Sequence, residues 1–268
     1  MGWTGRCGAW LLIGCAGLAG CQSLPETGGP GAPFQFVQIT DTHLGTDDHV
    51  TRVEKIAEQF NHLPMPIAFV AHTGDISMEQ LDQPGHGEQI QRTMGRFKAP
   101  VYYVAGNHDI LQERPDSTRQ AYLAHLGPMT QVHEHQGVVL LFWYGEAAAR
   151  GTPAEGQAAL DELERALVQA QGKPVLLFQH TPPVGGLFRN QIQPGWPAET
   201  RQRWESLVRA HQVKAVLCGH FHKDELHWLG DIPLFVAPPV AGYYGRQAAY
   251  RIYEYRDGHL SYRTLYLR

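Results

Sequence analysis

Five short polar blocks carry residue types that bind divalent metal ions, and each block follows an apolar run. Carboxylate oxygens and imidazole nitrogens are ligands for zinc and for divalent transition metals. One such block is usually a turn or a structural histidine, whereas five provide enough ligands for two metal ions. In chain order they are Asp41-Thr42-His43, Gly74-Asp75, Gly106-Asn107-His108-Asp109, His180 and Gly219-His220-Phe221-His222.

The first block shows how the chain can bring such ligands together. Residues 36–39 form an apolar run that predicts a buried strand, and Asp41 and His43 follow it. Side chains two residues apart on an extended chain point to the same side, so we expect these two to converge just beyond the strand. A helix-capping aspartate and a surface histidine are the alternative interpretation. Glycines 74, 106 and 219 allow sharp turns and close backbone approach.

The elements that must position these blocks alternate along most of the chain. Periodic apolar positions predict helices, and short apolar runs predict strands. The predicted strands cover residues 36–39, 67–71, 101–105, 138–144, 175–178 and 213–217. The predicted helices cover residues 49–63, 114–126, 154–171 and 198–211, together with the part of 80–97 that follows the Pro84-Gly85 turn. Short β-like runs fill 234–267. This order predicts an α/β fold whose core is two packed sheets flanked by helices.

The five blocks, in this order, resemble the calcineurin-like metallophosphoesterase family. The family pattern is Asp-x-His, Gly-Asp, Gly-Asn-His-Asp or Gly-Asn-His-Glu, a single His, and Gly-His-x-His, and here it spans Asp41 to His222. The resemblance implies a four-layer α-β-β-α sandwich, with two mixed β-sheets flanked by helices. It also implies an enzyme that hydrolyses phosphoric esters with two divalent metal ions.

The resemblance assigns the metal ligands residue by residue. The first ion would be held by Asp41, His43 and His222. The second ion would be held by Asn107, His180 and His220. Asp75 would bridge the two ions, and a hydroxide that bridges them would attack the phosphorus.

Two further residues of the third block receive catalytic roles from the same resemblance. His108 would stabilise developing charge or protonate the leaving group, and Asp109 would orient His108. Mixed nitrogen and oxygen ligation suits Mn, Fe(II), Zn or Co. Purple acid phosphatases carry a tyrosine three residues after the Gly-Asp aspartate, and Met78 stands there in this chain. A tyrosinate-bound ferric ion is therefore not expected.

The Asp-Thr-His-Leu-Gly opening most resembles the cyclic-nucleotide phosphodiesterase branch of the family. It favours a phosphodiesterase with a small phosphoester substrate. A phosphomonoesterase or nucleotidase is the close alternative. A non-catalytic lipoprotein that uses the fold as a binding surface is an alternative of another class, although the chain lacks none of the pattern's ligands.

The N-terminus predicts a targeting segment. Residues 9–19 are apolar and glycine-rich but too short for a good membrane-spanning helix. They lead into Leu18-Ala19-Gly20-Cys21, which resembles the lipobox of bacterial lipoproteins, where the cysteine is lipidated. We expect a lipoprotein signal peptide at 1–20, a tether at 21–33 anchored to the membrane through Cys21, and a metallophosphoesterase domain at 34–268. The predicted location is the bacterial cell envelope, outside the cytoplasm; a simple signal peptide or an uncleaved anchor is the alternative.

The charge composition of the chain bears on which partners it could bind. Twenty-two basic residues against 26 acidic ones give a formal net charge of −4, and without a basic stripe we expect no nucleic-acid partner. Cys218 would be the only cysteine of the mature chain besides Cys21, and it follows an apolar run, which predicts a buried, unreactive thiol. His72 could support the metal ligands or have a purely structural role. Candidate residues for a substrate pocket are His49, Arg189, Asn190, Trp196, Tyr243 and Tyr244.

Overall fold

The computed structural model describes residues 29–184 and 196–267. The expectations for Cys21, the signal peptide, most of the tether, Arg189 and Asn190 concern residues outside these ranges. The described strands are β1 (Phe34–Ile39), β2 (Val70–His72), β3 (Val101–Tyr103), β4 (Gln131–His135), β5 (Val138–Phe142), β6 (Val175–Phe178), β7 (Val213–Cys218), β8 (Glu225–Leu229), β9 (Ile232–Val236), β10 (Ala249–Arg256) and β11 (His259–Tyr266). The described helices are α1 (Asp47–Asn61), α2 (His86–Met94), α3 (Pro115–His125), α4 (Glu146–Arg150), α5 (Pro153–Gln169), α6 (Ala198–Ala210) and a 3₁₀ turn at Tyr243–Gly245.

The strands form two mixed sheets. The first sheet has the order β11-β10-β1-β2-β3, and the second has the order β4-β5-β6-β7-β9-β8. The central strands β1, β2 and β3 are parallel, as are β5, β6, β7 and β9, whereas β10, β11, β4 and β8 pair antiparallel with their neighbours. The carboxyl ends of the parallel strands in each sheet therefore share one edge.

Alternation along β1 explains why the sheets stack face to face with helices outside. Phe34 and Phe36 belong to the core between the sheets, while Val37 and Ile39 face the core shared with α1 and α2. Successive strand residues point to opposite faces, so an all-apolar strand needs cover on both sides. A third core lies between the second sheet and helices α4, α5 and α6. The predicted four-layer α-β-β-α sandwich is confirmed.

Aromatic rings fill most of the space between the sheets. Phe36 stacks on Phe69 and Tyr253 with ring centroids 4.8 and 5.0 Å apart. It also meets the edge of Phe178, from the second sheet, at 5.8 Å. Large, rigid rings of this kind bury much apolar area at a small entropic cost. This aromatic layer fixes the position of one sheet against the other, and therefore the position of their strand ends.

Three elements were absent from the sequence prediction, and one of them is strand β8 (Glu225–Leu229), which precedes the predicted β-like runs. Strand β4 is an edge strand of its sheet, and all of its residues before His135 are half-exposed or exposed. It therefore has no apolar run that the sequence could show. Helix α4 spans only five residues, too few for a helical period to show. Helix α5 follows it at once and begins with a capping box, in which Thr152 and Glu155 bond each other's backbone N–H groups.

Two further findings concern membrane helices and cysteine. No helix in the described part of the chain has both the length and the apolar character needed to cross a bilayer. Cys218 is a buried free thiol whose pKa burial raises well above its ordinary value, as expected for an unreactive cysteine.

Phe36→Ala tests the aromatic layer. Phe36 is fully buried, so the loss of its ring should lower the free energy of unfolding by about 3–5 kcal/mol. Leu123→Ala on α3 is the control, because Leu123 is 50% exposed and its truncation should change stability by about 0.5 kcal/mol or less. Denaturant unfolding of both variants measures the difference. Equal effects would contradict the packing described here.

Candidate metal centre

The five polar blocks follow β1, β2, β3, β6 and β7 and meet where the two sheets share an edge. Hydrogen bonds between the sheets hold this edge together. The His220 N–H donates to Asp41 Oδ2 at 3.1 Å, and His180 Nδ1 lies 2.8 Å from the Thr73 carbonyl oxygen. Blocks from the first and second sheets therefore form one site.

The chain curls at these strand ends instead of continuing extended. β1 ends at Ile39, before the first polar block. The expectation that Asp41 and His43 converge because they share one side of an extended chain is therefore wrong. A left-handed backbone costs a non-glycine residue on the order of 1 kcal/mol. Five of the site residues have positive φ: Asp41 (51°), His43 (44°), Asp75 (53°), His220 (71°) and His222 (53°).

One group of ligand atoms comes from Asp41, His43 and His222. The Nε2 atoms of His43 and His222 are 3.3 Å apart, and His222 Nε2 lies 3.2 Å from Asp41 Oδ1. Asp41 Oδ1 is 4.0 Å from His43 Nε2. All three side chains are buried. Two imidazole nitrogens and a carboxylate oxygen that face one point fit a divalent cation.

A second group comes from Asp75, His180 and His220, and within each group the ligand atoms lie within 4.8 Å of one another. His180 donates its Nδ1–H to a backbone carbonyl, which leaves Nε2 for a metal ion. Asp75 Oδ2 is 3.1 Å from His180 Nε2 and 3.8 Å from His43 Nε2. One carboxylate oxygen thus lies between the two groups, and the two groups together fit a dinuclear centre.

Asn107 has a side-chain oxygen that could accept a ligand. Its side-chain Oδ1 is buried and has no hydrogen-bond partner among the described residues. A buried carbonyl oxygen without a partner costs free energy, and such an atom needs an explanation such as a metal ion. The ligand role of Asn107 stays a prediction.

Imidazoles that contact the two buried carboxylates shift the pKa values of both partners. Burial would raise the pKa of Asp41, but His222, which also hydrogen-bonds the carboxylate, lowers it to about 2. Burial opposes protonation of His180, but the Asp75 carboxylate raises the pKa of His180 to about 10. The same pairing holds the pKa of Asp75 well below its ordinary value against the effect of burial. Metal ligands must be deprotonated, so a cation would displace the His180 proton.

Neighbouring histidines support the first group. His49 Nδ1 lies 2.6 Å from the His43 carbonyl oxygen. His72 Nε2 lies 2.9 Å from the hydroxyl of Thr42, which in turn donates to the Ile76 carbonyl. Burial lowers the pKa of His72 to about 3, so this ring is neutral. His72 therefore fixes the turn that carries the first two ligands.

The residue that contacts the His108 ring differs from the predicted one. Asp109 accepts hydrogen bonds from the backbone N–H groups of Ile76, Ser77 and Gly106. Burial raises the pKa of Asp109 to about 7. The acid that contacts the His108 ring is Glu79, whose Oε1 lies 2.8 Å from His108 Nδ1. The prediction that Asp109 orients His108 is wrong, because its carboxylate serves the turn after β2 instead.

Glu79 is held in place from α3. Its own backbone has a φ of 57°. Arg114 donates to the Glu79 carbonyl at 3.0 Å and pairs with both carboxylate oxygens of Asp82 at 2.7 and 2.9 Å. No sequence pattern marked Glu79, since it lies four residues after Asp75 in a loop without periodicity.

Two glycines are required by close contact. A Cβ at Gly106 would lie 2.2 Å from Asp75 Oδ1, and a Cβ at Gly219 would lie 2.0 Å from Thr40 Oγ1. Neither distance is compatible with a side chain, because real Cβ contacts are longer than 3.0 Å. Close packing of backbone against Asp75 and the Thr40-Asp41 segment thus explains these two glycines.

A cavity of about 690 Å³ opens beside the second group. Asn107, His108, Tyr144 and Arg150 line it, which places the His108 ring on its wall. Its size suits a small organic ligand.

The residues predicted to line a substrate pocket lie in different parts of the structure. Trp196 packs in the core with Trp143 and Trp204, so it is not a pocket residue. Tyr243 covers the first group: its ring lies 5.1 Å from His43 and 6.0 Å from His222, and its hydroxyl contacts Met78 Sδ at 3.4 Å. Arg150 and the rest of α4 escaped the sequence analysis, although the structure places them at the second group.

A two-sheet sandwich with two metal-ligand groups at the shared edge defines a dinuclear metallophosphoesterase. Residues 34–224 match the family model described as calcineurin-like phosphoesterase, and the chain belongs to this family. It is a metal-dependent phosphoesterase.

Two related proteins are similar to this chain over most of their length. A protein named probable cyclic nucleotide phosphodiesterase from Rhodopseudomonas palustris is 29% identical over 204 residues, which cover 71% of this chain and 72% of that protein. The 3′,5′-cyclic adenosine monophosphate phosphodiesterase CpdA of Escherichia coli is 25% identical over 214 residues, which cover 74% of each chain.

Solved structures share the fold at low identity. A dimetal phosphatase from Danio rerio superposes with a TM-score of 0.59 at 14% identity, covering 88% of this chain and 99% of that one. A purple acid phosphatase from yellow lupin superposes with a TM-score of 0.61 at 13% identity, covering 87% of this chain and 52% of that one. At such identities the likeness concerns the fold alone.

Asp75→Asn tests whether one carboxylate serves both ligand groups. Its Oδ2 is near both His43 and His180, so we expect the variant to lose both metal ions. Asp41→Asn is the matched control: Asp41 belongs to the first group only, and this variant should keep one ion. Metal content after desalting, measured by mass spectrometry, gives the answer. Two ions retained by Asp75→Asn would contradict the bridging position.

Proposed function

We propose that this protein is a phosphodiesterase that acts outside the cytoplasm. The observation that carries the proposal is the Asp75 carboxylate between two metal-ligand groups, with the His108 ring on the wall of the adjoining cavity. The names of both relatives described above support a diester as the substrate class.

The protein's own residues would have defined tasks. Bound cations would hold the phosphate, stabilise its developing charge and acidify a water. Asp41, His43 and His222 would hold one ion, Asn107, His180 and His220 the other, and Asp75 both. We propose Mn, Fe(II), Zn or Co for this mixture of nitrogen and oxygen ligands.

His108 is the proposed general acid. Glu79 takes its Nδ1–H, which fixes the ring and leaves Nε2 as the atom that exchanges a proton with the leaving oxygen. The His108 backbone N–H also donates to Asp75 Oδ1 at 2.9 Å. The proton donor and the carboxylate shared by both groups are therefore joined by one rigid segment.

The location follows from the lipobox-like sequence. We propose that residues 1–20 are removed and that lipid on Cys21 anchors the domain to a bacterial membrane, outside the cytoplasm. A cytoplasmic second messenger would then be out of reach. The proposed substrate is a small phosphodiester of the envelope or the surroundings.

Turnover of two simple esters tests the class. The Mn²⁺-loaded or Zn²⁺-loaded protein should hydrolyse bis-p-nitrophenyl phosphate with a higher kcat/KM than p-nitrophenyl phosphate. The reverse order would make the protein a phosphomonoesterase. No turnover of either ester by protein that contains both ions would indicate a binding protein.

His108→Ala and Glu79→Ala test the proton donor. His108→Ala should keep both metal ions but lose about 10²–10⁴-fold in kcat, the usual range for an acid or base group. Glu79→Ala should show the same pattern with a smaller loss. The loss of kcat in both variants should be smaller for esters of p-nitrophenol, because p-nitrophenolate is a good leaving group that needs little protonation. Glu88→Ala, an exposed acid on α2, is the control. Equal losses for good and poor leaving groups would exclude a general-acid role.

Cys21→Ala tests the anchor. The variant should lose acyl label and membrane association, while its specific activity stays unchanged because Cys21 lies outside the domain. Cys15→Ala changes a cysteine outside the lipobox-like sequence and should stay with the membrane. Cell fractionation with metabolic fatty-acid labelling measures both. Membrane association of Cys21→Ala without label would point to an uncleaved anchor.

A further inference from the structure

A loop of five residues carries one ligand of each metal-ligand group. This ligand loop, residues 219–223, follows β7 and contains His220 and His222. Both histidines have a left-handed backbone, with φ values of 71° and 53°. Residues persist in such a conformation only where the surrounding structure fixes them. Both ends of the ligand loop must therefore be held firmly.

Arg251, on β10, holds the end of the ligand loop that follows His222. Its side chain is fully buried. Its Nη2 donates to Asp224 Oδ1 and, at 3.3 Å, to the Glu225 carbonyl oxygen. The hydroxyl of Thr264, on β11, donates to the other carboxylate oxygen of Asp224 at 2.6 Å. Because Asp224 lies two residues after His222, these bonds fix the backbone that leaves the ligand.

The same arginine is linked to the other end of the ligand loop. Arg251 Nη1 donates to the Tyr253 hydroxyl at 3.0 Å, and that hydroxyl donates to Gln38 Oε1 at 2.9 Å. Gln38 Nε2 donates at 3.0 Å to the carbonyl oxygen of Cys218, the residue before the loop. One buried chain of hydrogen bonds therefore joins the two ends of the ligand loop.

A guanidinium group suits this position. It keeps its charge and donates several hydrogen bonds from one rigid plane, and its bonds to a carboxylate are charge-assisted. The Tyr262 ring covers it, with Arg251 Cζ 4.4 Å from the ring centroid. Removal of one partner from a buried ion pair is strongly unfavourable, so Arg251 and Asp224 hold each other in one geometry.

We propose that Arg251 and Asp224 are positioning residues of the metal centre, which set the affinity for the first ion through the backbone of His222. The inference goes beyond the proposed function, because it rests on the ligand role of His222 and not on the choice of phosphoric ester. The first ion is the one concerned, since Asp224 lies two residues from His222 but four from His220. His220 also has an anchor of its own, the bond from its backbone N–H to Asp41 Oδ2 at 3.1 Å.

Calorimetric measurement of Mn²⁺ binding tests the proposal without turnover. Asp224→Ala should bind the first ion about 10–100-fold more weakly than wild type, the usual loss when the support of a metal ligand is removed. Asp224→Asn keeps an acceptor for Arg251 and should recover part of that affinity. Asp231→Ala, an exposed acid in the turn between β8 and β9, is the matched control and should bind both ions as wild type does.

The Asp41→Asn protein shows which ion responds, because only its second ligand group is intact. Addition of Asp224→Ala to this variant should change the affinity for the remaining ion by less than about threefold, as for independent sites. Weakening of the remaining ion as large as that of the first ion in Asp224→Ala would overturn the link to His222.

A merely structural ion pair gives a different result. Unchanged affinity for the first ion in folded Asp224→Ala overturns the proposal, even where the free energy of unfolding falls. If Asp224→Ala does not fold, Thr264→Val decides: it removes one hydrogen bond to Asp224 at a half-exposed position and should weaken the first ion about threefold. Unchanged affinity there would also overturn the proposal. No ester is present in these measurements, so a failed esterase assay counts against the proposed function alone.

Discussion

The burial of one carboxylate, that of Asp75, is the constraint on which this structure depends. It lies between His43, which follows β1, and His180, which follows β6, so both sheets must end at the same point. It also accepts the backbone N–H of His108, and Gly106 must lack a side chain to leave room for it. A buried charge without partners is very unfavourable, so the surrounding chain is arranged to supply them.

The cost of this arrangement is visible in the backbone. Five ligand residues adopt left-handed conformations, on the order of 1 kcal/mol each, and the packed layers beneath must offset them. The aromatic stack around Phe36 supplies that stability a few residues from the ligands. A buried polar link reinforces it, since Gln38 donates to Thr73 Oγ1 and to the Cys218 carbonyl, joining the sheets directly below the site. The strained backbone of the site is thus held in place by the tightly packed layers beneath it.

Charge compensation runs through the whole centre. His180 faces Asp75 and His222 faces Asp41, and these two pairs hold the pKa values of both carboxylates below their ordinary range. Metal ligands must be deprotonated, so a cation at either ligand group would displace protons from these imidazoles.

The sequence by itself determined the layered fold and the ligands. Short apolar runs mark the buried strands, and their order along the chain predicts the sheets. Asp41, Asp75 and His220 stand just after such runs, and ligands of parallel sheets bind at the carboxyl ends of the strands. Tertiary structure alone decided how these side chains converge, because the left-handed turns depend on contacts with the opposite sheet. It also decided the partner of His108: Asp109, next in sequence, faces backbone N–H groups, whereas Glu79 arrives from another loop. Arg150 likewise belongs to a helix too short for periodicity, and its position at His220 depends on how the chain packs around Glu146. Local sequence encodes which elements form, whereas contacts between distant residues exist only once the sheets have met.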